Sequence, residues 1–325
     1  MSEVATKKMS SVLDQAEKNL LDAVDARTTL AGSNRMEILL FSLGTGETFG
    51  INVFKVREVS KTPFITKAPN MPNGVEGLIS LRGNVIPVLE LSKVLGLRRP
   101  DGGLGQSMMV TEYSKRTLGF LVDEVDRIIR VEWDKVRTPD NVSTGTQSYI
   151  TAITELADGT LVSILDVETI LANTFGEAII GNISPLGAEH EVNVFFVDDS
   201  AVARKKIAEV LDKLDVKHKH AQNGFEAWTR LEGMAKHSQA SGRPLKDEVD
   251  LILVDAEMPE MDGYVLTKNI KEDSRFEGIP VVMHSSLSSE ANRAMGKRVG
   301  VDAYVAKFDA DNLADTLRPL LLRGR

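Results

Sequence analysis

The sequence has 325 residues and no cysteine. Disulfides, thiolate nucleophiles and cysteine-ligated zinc are therefore excluded, and the absence fits a reducing compartment. Aromatic residues make up only 5%, too few to suggest an aromatic-rich nucleic-acid platform. Basic charge is in deficit: 39 Lys and Arg stand against 47 Asp and Glu, a formal net charge of −8. A broad phosphate-binding surface would want clustered base, so no nucleic-acid partner is expected. No stretch reaches the roughly 20 apolar residues that a membrane helix needs. The N-terminal Met1–Lys8 is not followed by the apolar run of a signal peptide. The expectation is a soluble, cytoplasmic protein without membrane insertion.

What is present suffices for two cores. Hydrophobic residues are 42% of the chain, and domains run to roughly 100–200 residues. Residues 1–34 are polar, with Val12, Leu13, Ala16, Leu20, Leu21 and Val24 at helical spacing. One N-terminal helix is expected, stopped by Ala31-Gly32-Ser33-Asn34. Residues 35–172 show short apolar runs separated by turn signals. Val75–Leu81 and Val85–Leu91 flank Arg82-Gly83-Asn84; Ile150–Leu156 and Thr160–Asp166 flank Asp158-Gly159. This predicts a mostly antiparallel β domain, sandwich or barrel. Residues 173–190, broken by Gly176, Gly181, Pro185 and Gly187, read as a linker that touches a domain.

Residues 191–325 change pattern. Val192–Val197, Leu251–Val254 and Pro280–Met283 are continuous apolar runs, with amphipathic stretches at Ser200–Leu214, Phe225–Met234 and Leu313–Leu322. Alternating β and α elements predict a parallel, doubly wound sheet covered on both faces. In such sheets, ligands sit at the carboxyl ends of the strands. Asp198 and Asp199 follow the first run, and Asp255 follows Leu251–Val254. Three close carboxylates repel one another and need a cation or raised pKa values. Oxygen donors without His or Cys favour a hard ion such as Mg²⁺. Ser285 and Lys307 fall after two further strand candidates. A metal cradle, a carboxylate nucleophile, a hydroxyl and a cation are the set that phosphoryl transfer to a carboxylate asks for.

These residues carry a resemblance. Phe195-Phe196-Val197-Asp198-Asp199-Ser200, Leu253-Val254-Asp255 through Asp262-Gly263, Pro280 through Ser285-Ser286, and Gly300 through Ala306-Lys307 resemble the response-regulator receiver domain, a sheet of five parallel strands. The resemblance implies phosphotransfer from a histidine kinase to Asp255. It implies Mg²⁺ held by Asp199, Asp255 and the Glu257 carbonyl, with Asp198 acting through water. Ser285 would bond the phosphoryl oxygens, Lys307 would pair with them, and Tyr304 would be the aromatic switch partner of Ser285. Phe308 departs from the usual proline after the lysine. Leu287 and Glu257 flank the expected path of hydrolytic water. His284 is read as part of the switch surface rather than as a ligand. His218 and His220 share a strand face without further metal ligands.

In the first half, Asn73-Gly74-Val75 through Val88-Leu89-Glu90-Leu91, and Phe49 through Val59, resemble the CheW-like chemotaxis coupling domain. That resemblance implies two small five-stranded β-barrels and two partners, the methyl-accepting chemoreceptors and the chemotaxis histidine kinase. Arg82, in its tight turn, is a partner-binding candidate. A coupling domain followed by a receiver resembles the CheV type of chemotaxis coupling protein. The function implied is an adaptor at receptor clusters, regulated through Asp255, with no enzymatic activity beyond handling its own phosphoryl group. A phosphate sink for the kinase fits the same sequence. A Mg²⁺-dependent aspartyl-phosphate phosphohydrolase would want an acid two residues past a first-strand nucleophile, where Ser200 follows Asp198 and Ala201 follows Asp199. A transcriptional regulator would want a basic reading module.

Overall fold

The computed structural model of the 325-residue chain describes residues 35–100, 102–113, 116–138, 149–176, 180–286, 290–307 and 309–322. The expected N-terminal helix, Leu287 and Phe308 lie outside the described residues. Two compact units are distinguished, Arg35–Gly176 and Glu177–Arg325.

Among the described residues the first unit holds ten strands: β1 Arg35–Ser42, β2 Thr48–Asn52, β3 Val56–Lys61, β4 Val75–Leu81, β5 Asn84–Glu90, β6 Ser107–Tyr113, β7 Arg116–Val122, β8 Glu124–Glu132, β9 Ile150–Glu155 and β10 Leu161–Leu165. One helical turn, α1 Leu91–Val94, and a helix, α2 Val167–Phe175, accompany them. The strands form two five-stranded sheets, in the orders β8-β1-β2-β10-β9 and β3-β6-β7-β5-β4. Pairing is antiparallel except for β2 with β10 and β5 with β7. The outer strands of each sheet are drawn together by one further bridge, Arg137 to Ile153 in the first and Thr66 to Leu78 in the second. Each sheet thus curls toward a small barrel around its own apolar core. The second sheet is inserted, in sequence, between β2 and β8 of the first.

The second unit has five strands, β11 Asn193–Val197, β12 Lys217–Ala221, β13 Leu251–Asp255, β14 Val281–Ser285 and β15 Ala303–Ala306. Among the described residues five α-helices surround them: α3 Ala201–Lys213, α4 Gly224–Ser241, α5 Gly263–Glu272, α6 Glu290–Val299 and α7 Ala310–Leu321. All pairs are parallel, in the order β12-β11-β13-β14-β15. Every residue of β13 and β14 is buried, as continuous apolar runs covered on both faces require. One apolar core lies toward α3 and α7, the other toward α4 and α5. Side-chain caps start the helices: Ser200, Asn223, Asp262 and Asp309 each accept a hydrogen bond from the backbone N–H three residues on. The strand order reverses between β11 and β13, so the switch point of the sheet opens at the ends of these two strands.

Candidate functional site

The switch point brings the predicted acids together. Asp198 follows β11 and Asp255 ends β13; both are buried, and Asp199 is half-buried. One carboxylate oxygen from each lies within 4.8 Å of the others. Two carboxylates this deep would expel each other or take up protons unless a cation intervened. Lys307, just past β15 and only 4% exposed, supplies it. Its Nζ stands 2.8 Å from Asp198 Oδ2 and 2.8 Å from Asp255 Oδ2. The remaining oxygens are held by backbone: Ser200 N donates to Asp198 Oδ1 at 3.0 Å, and Glu257 N to Asp255 Oδ1 at 3.3 Å. Removing one member of such a buried set costs about 3–5 kcal/mol, because the charge left behind stays buried.

Ser285 ends β14 and is fully buried. Its carbonyl accepts a hydrogen bond from Lys307 N at 2.9 Å, which places the lysine beside it. The Ser285 hydroxyl also bonds the Tyr304 phenol. Burial raises the Tyr304 pKa to about 12; the Ser285 bond opposes the rise, and the Glu257 and Asp255 carboxylates add to it. The Tyr304 ring packs against Gly296 of α6, with the Arg293 guanidinium 5.5 Å from its centroid.

Sequence reading missed two contributors. Arg204, on the first turns of α3, donates through Nη1 to the carbonyls of Asp198 and Asp199, both at 2.8 Å, and so clamps the acidic loop. An arginine five and six residues past the acid pair was the available signal. Tyr264 of α5 is buried beside Tyr304. Among the described residues its hydroxyl finds no hydrogen bond of normal geometry, although the Tyr304 hydroxyl is close enough to interact with it. Burial, then Tyr304 and Glu257, push its pKa above the ordinary tyrosine value.

Gly263 closes the loop after Asp255. A Cβ there would lie 1.9 Å from the Asp255 carbonyl oxygen, so only glycine lets α5 start this close to the strand end. His284 does not lie on a switch surface as expected. It is buried, with Nδ1 4.0 Å from Asp198 Oδ2, because β14 is covered on both faces. On the edge strand β12, His218 Nε2 meets Asp212 Oδ1 at 3.1 Å and His220 stacks on Phe196. Ser200, two residues past Asp198, caps α3, so no acid occupies that position.

Arg82 and Gly83 form the two-residue turn between β4 and β5, with φ of 50° and 85°. The Arg82 side chain is exposed and pairs with Glu58 of β3. Arg82 follows β4 and Glu58 lies on β3, the two outer strands of their sheet.

The donor set of Asp198, Asp199 and Asp255 is all oxygen and carries excess negative charge, which fits Mg²⁺. A coupling-type β unit followed by a receiver-type α/β unit defines a class of two-part signalling adaptor. The model of the CheW-like domain matches residues 37–175, and that of the response regulator receiver domain matches residues 194–318. The chain is 31% identical over 278 residues to Chemotaxis protein CheV3 of Helicobacter pylori, covering 84% of this chain and 88% of that protein. It is 29% identical over 325 residues to Chemotaxis protein CheV1 of the same organism, covering 93% and 98%. The scaffolding protein TtCheW from Thermoanaerobacter tengcongensis is 29% identical, covering 44% of this chain and 92% of its own, with a TM-score of 0.40. This chain belongs to the CheV-type chemotaxis proteins, coupling adaptors that carry a receiver domain. Among the described residues no helix is long and apolar enough to cross a membrane.

Proposed function

We propose that the chain is a cytoplasmic adaptor that couples methyl-accepting chemoreceptors to the chemotaxis histidine kinase, and that phosphorylation of Asp255 regulates the coupling. The carrying observation is Lys307 Nζ at 2.8 Å from Asp255 Oδ2, with Lys307 N bonded to the Ser285 carbonyl at the neighbouring strand end. In the transfer, an Asp255 oxygen attacks the phosphorus of a phosphohistidine. The O–P bond forms as the P–N bond breaks, and the imidazole leaves with the electron pair. Lys307 moves its charge from the carboxylate to the phosphoryl oxygens, and Ser285 donates to one of them. Mg²⁺, when bound by Asp198, Asp199, Asp255 and the Glu257 carbonyl, would supply charge neutralisation at those same oxygens. Ser285 then has a reason to leave Tyr304, which makes this pair the proposed switch.

In the coupling unit, Phe64 is 90% exposed and Val85 68% exposed. Val85 pairs with Ser80 in the hairpin whose turn holds the exposed Arg82, and such exposed apolar side chains suit protein contact better than solvent. Arg82 holds a left-handed conformation at a cost of about 1–3 kcal/mol, which its exposed ion pair offsets only in part.

The test reconstitutes receptor, kinase and this protein, with wild type beside Asp255→Asn. Phosphoryl transfer to wild type and none to Asp255→Asn is expected, together with altered kinase control. Equal ligand-dependent kinase control by both proteins under phosphorylating conditions would remove the regulatory part. Phosphoryl drain without altered control would replace it with a phosphate sink.

A further inference from the structure

Between the two matched stretches, 37–175 and 194–318, lies a segment that neither family model covers. Residues 180–188 of it form no helix or strand. They nevertheless place Ile180, Ile183 and Leu186, all buried, in the apolar core formed with α3 and α7. Irregular chain normally runs over the surface with its backbone in water. Here the backbone is gripped. Lys213, the last residue of α3, donates to the carbonyls of Ile180 at 3.2 Å and Gly181 at 3.1 Å. Arg318, in the last turn of α7, donates to the carbonyls of Ser184 at 2.7 Å and Pro185 at 2.9 Å. Leu186 N donates to the Leu214 carbonyl at 2.8 Å. Cations at helix C-termini ordinarily serve their own helix; these two reach across to another segment.

The opposite end of α7 starts just past the phosphoacceptor site along the chain. Its cap, Asp309, lies two residues past Lys307, the lysine that bonds Asp255. One helix therefore joins Lys307 to the segment that leads back to the coupling domain.

We infer that the face between α3 and α7 is a docking surface for the chain's own segment 180–188, and that a change at Asp255 and Lys307 reaches this segment through α7. The segment is then the output element of the receiver toward the coupling unit. The second half of the inference rests on the reading of Asp255 as phosphoacceptor.

Amide hydrogen exchange on the full chain tests both halves. In wild type, Leu186 N–H exchanges slowly, with the receiver core. In the double variant Lys213→Ala/Arg318→Ala, exchange across 181–188 accelerates by about tenfold or more, the equivalent of one or more net hydrogen bonds lost. Protection of β13 and β14 persists, which shows that the fold is kept. Unchanged exchange in the double variant, or fast exchange in wild type, overturns the docking surface. Mg²⁺ with beryllofluoride is then added as a phosphoryl mimic to wild type and to Asp255→Asn. Altered exchange both in the loop after Asp255 and in 181–188, in wild type only, is expected. A response in the loop without one in the segment overturns the transmission and leaves the Asp255 reading standing. No response at either place overturns the Asp255 reading and the transmission with it.

Discussion

At the residue scale, the site joins two kinds of electrostatic solution. The carboxylates of Asp198 and Asp255 share one buried ammonium, Lys307, while the phenols of Tyr264 and Tyr304 stay neutral because burial disfavours their anions. The second solution has a pH signature. A group whose folded pKa is raised holds its proton more tightly when folded. Its contribution to stability is complete below the unfolded value, near 10, and is lost as pH rises through the folded value, about 12 for Tyr304. The free energy of unfolding should therefore decline above pH of roughly 10, and Tyr304→Phe should flatten that decline. Phenolate absorbance followed against pH should show Tyr304 titrating late and Tyr264 resisting until the chain unfolds. A Tyr264→Phe protein whose titration matches wild type before unfolding supports this; a missing early-titrating phenol in that variant refutes it. The three acids, Ser285 and Lys307 were legible in sequence because they follow apolar runs. Tyr264 and Arg204 were not, because a tyrosine on an amphipathic helix and an arginine on a first turn look like ordinary packing and surface.

At the scale of elements, long apolar runs were legible and weakly patterned elements were not. The runs Val192–Val197, Leu251–Val254 and Pro280–Met283 became β11, β13 and β14, each shifted by one or two residues at an end. β8 was passed over, because its charged residues interrupt the alternation and its faces are only partly buried. Helix α2 has nine residues and carries Val167, Thr169, Ile170 and Thr174, whose branched side chains imitate a strand. Helix α5 begins inside the motif after Asp255, so its cap, Asp262, read as part of that motif rather than as a helix start. Two glycines show how different helical positions constrain sequence. Gly263 has no room for a methyl group, whereas Gly233 of α4 is exposed with nothing within 4 Å of its would-be Cβ. Gly263→Ala should cost about 3 kcal/mol, the upper range of overpacking, and weaken Mg²⁺ binding by displacing Asp255. Gly233→Ala should stabilise by about 0.5–1 kcal/mol, since alanine loses less backbone entropy in a helix. Denaturant unfolding of both variants reads the two signs, and equal signs would contradict the packing described.

At the scale of the whole molecule, pattern along the chain says little about which strands pair across long separations. β1 pairs with β8 and β2 with β10, far apart in sequence, so the insertion of one five-stranded sheet within the other is invisible to local reading. The doubly wound unit was easier, because alternating strands and helices admit few parallel topologies. Each unit also has its own apolar cores, so the chain should not unfold as one cooperative block. The acidic cluster lies in only one of them. A ligand that binds the folded state alone stabilises it by mass action, about 2.7 kcal/mol at a hundred times its dissociation constant. Calorimetry with increasing Mg²⁺ should therefore raise the transition of the receiver unit and leave that of the β unit in place. Asp199→Asn removes one charge from the half-buried edge of the cluster without touching the Lys307 pairs, so it should abolish the shift while keeping both transitions. If wild type shows no shift, the acids do not hold the ion. If the variant shifts as far as wild type, the ion binds elsewhere. If both transitions move together in wild type, the two units unfold as one and the separation of their cores does not govern stability.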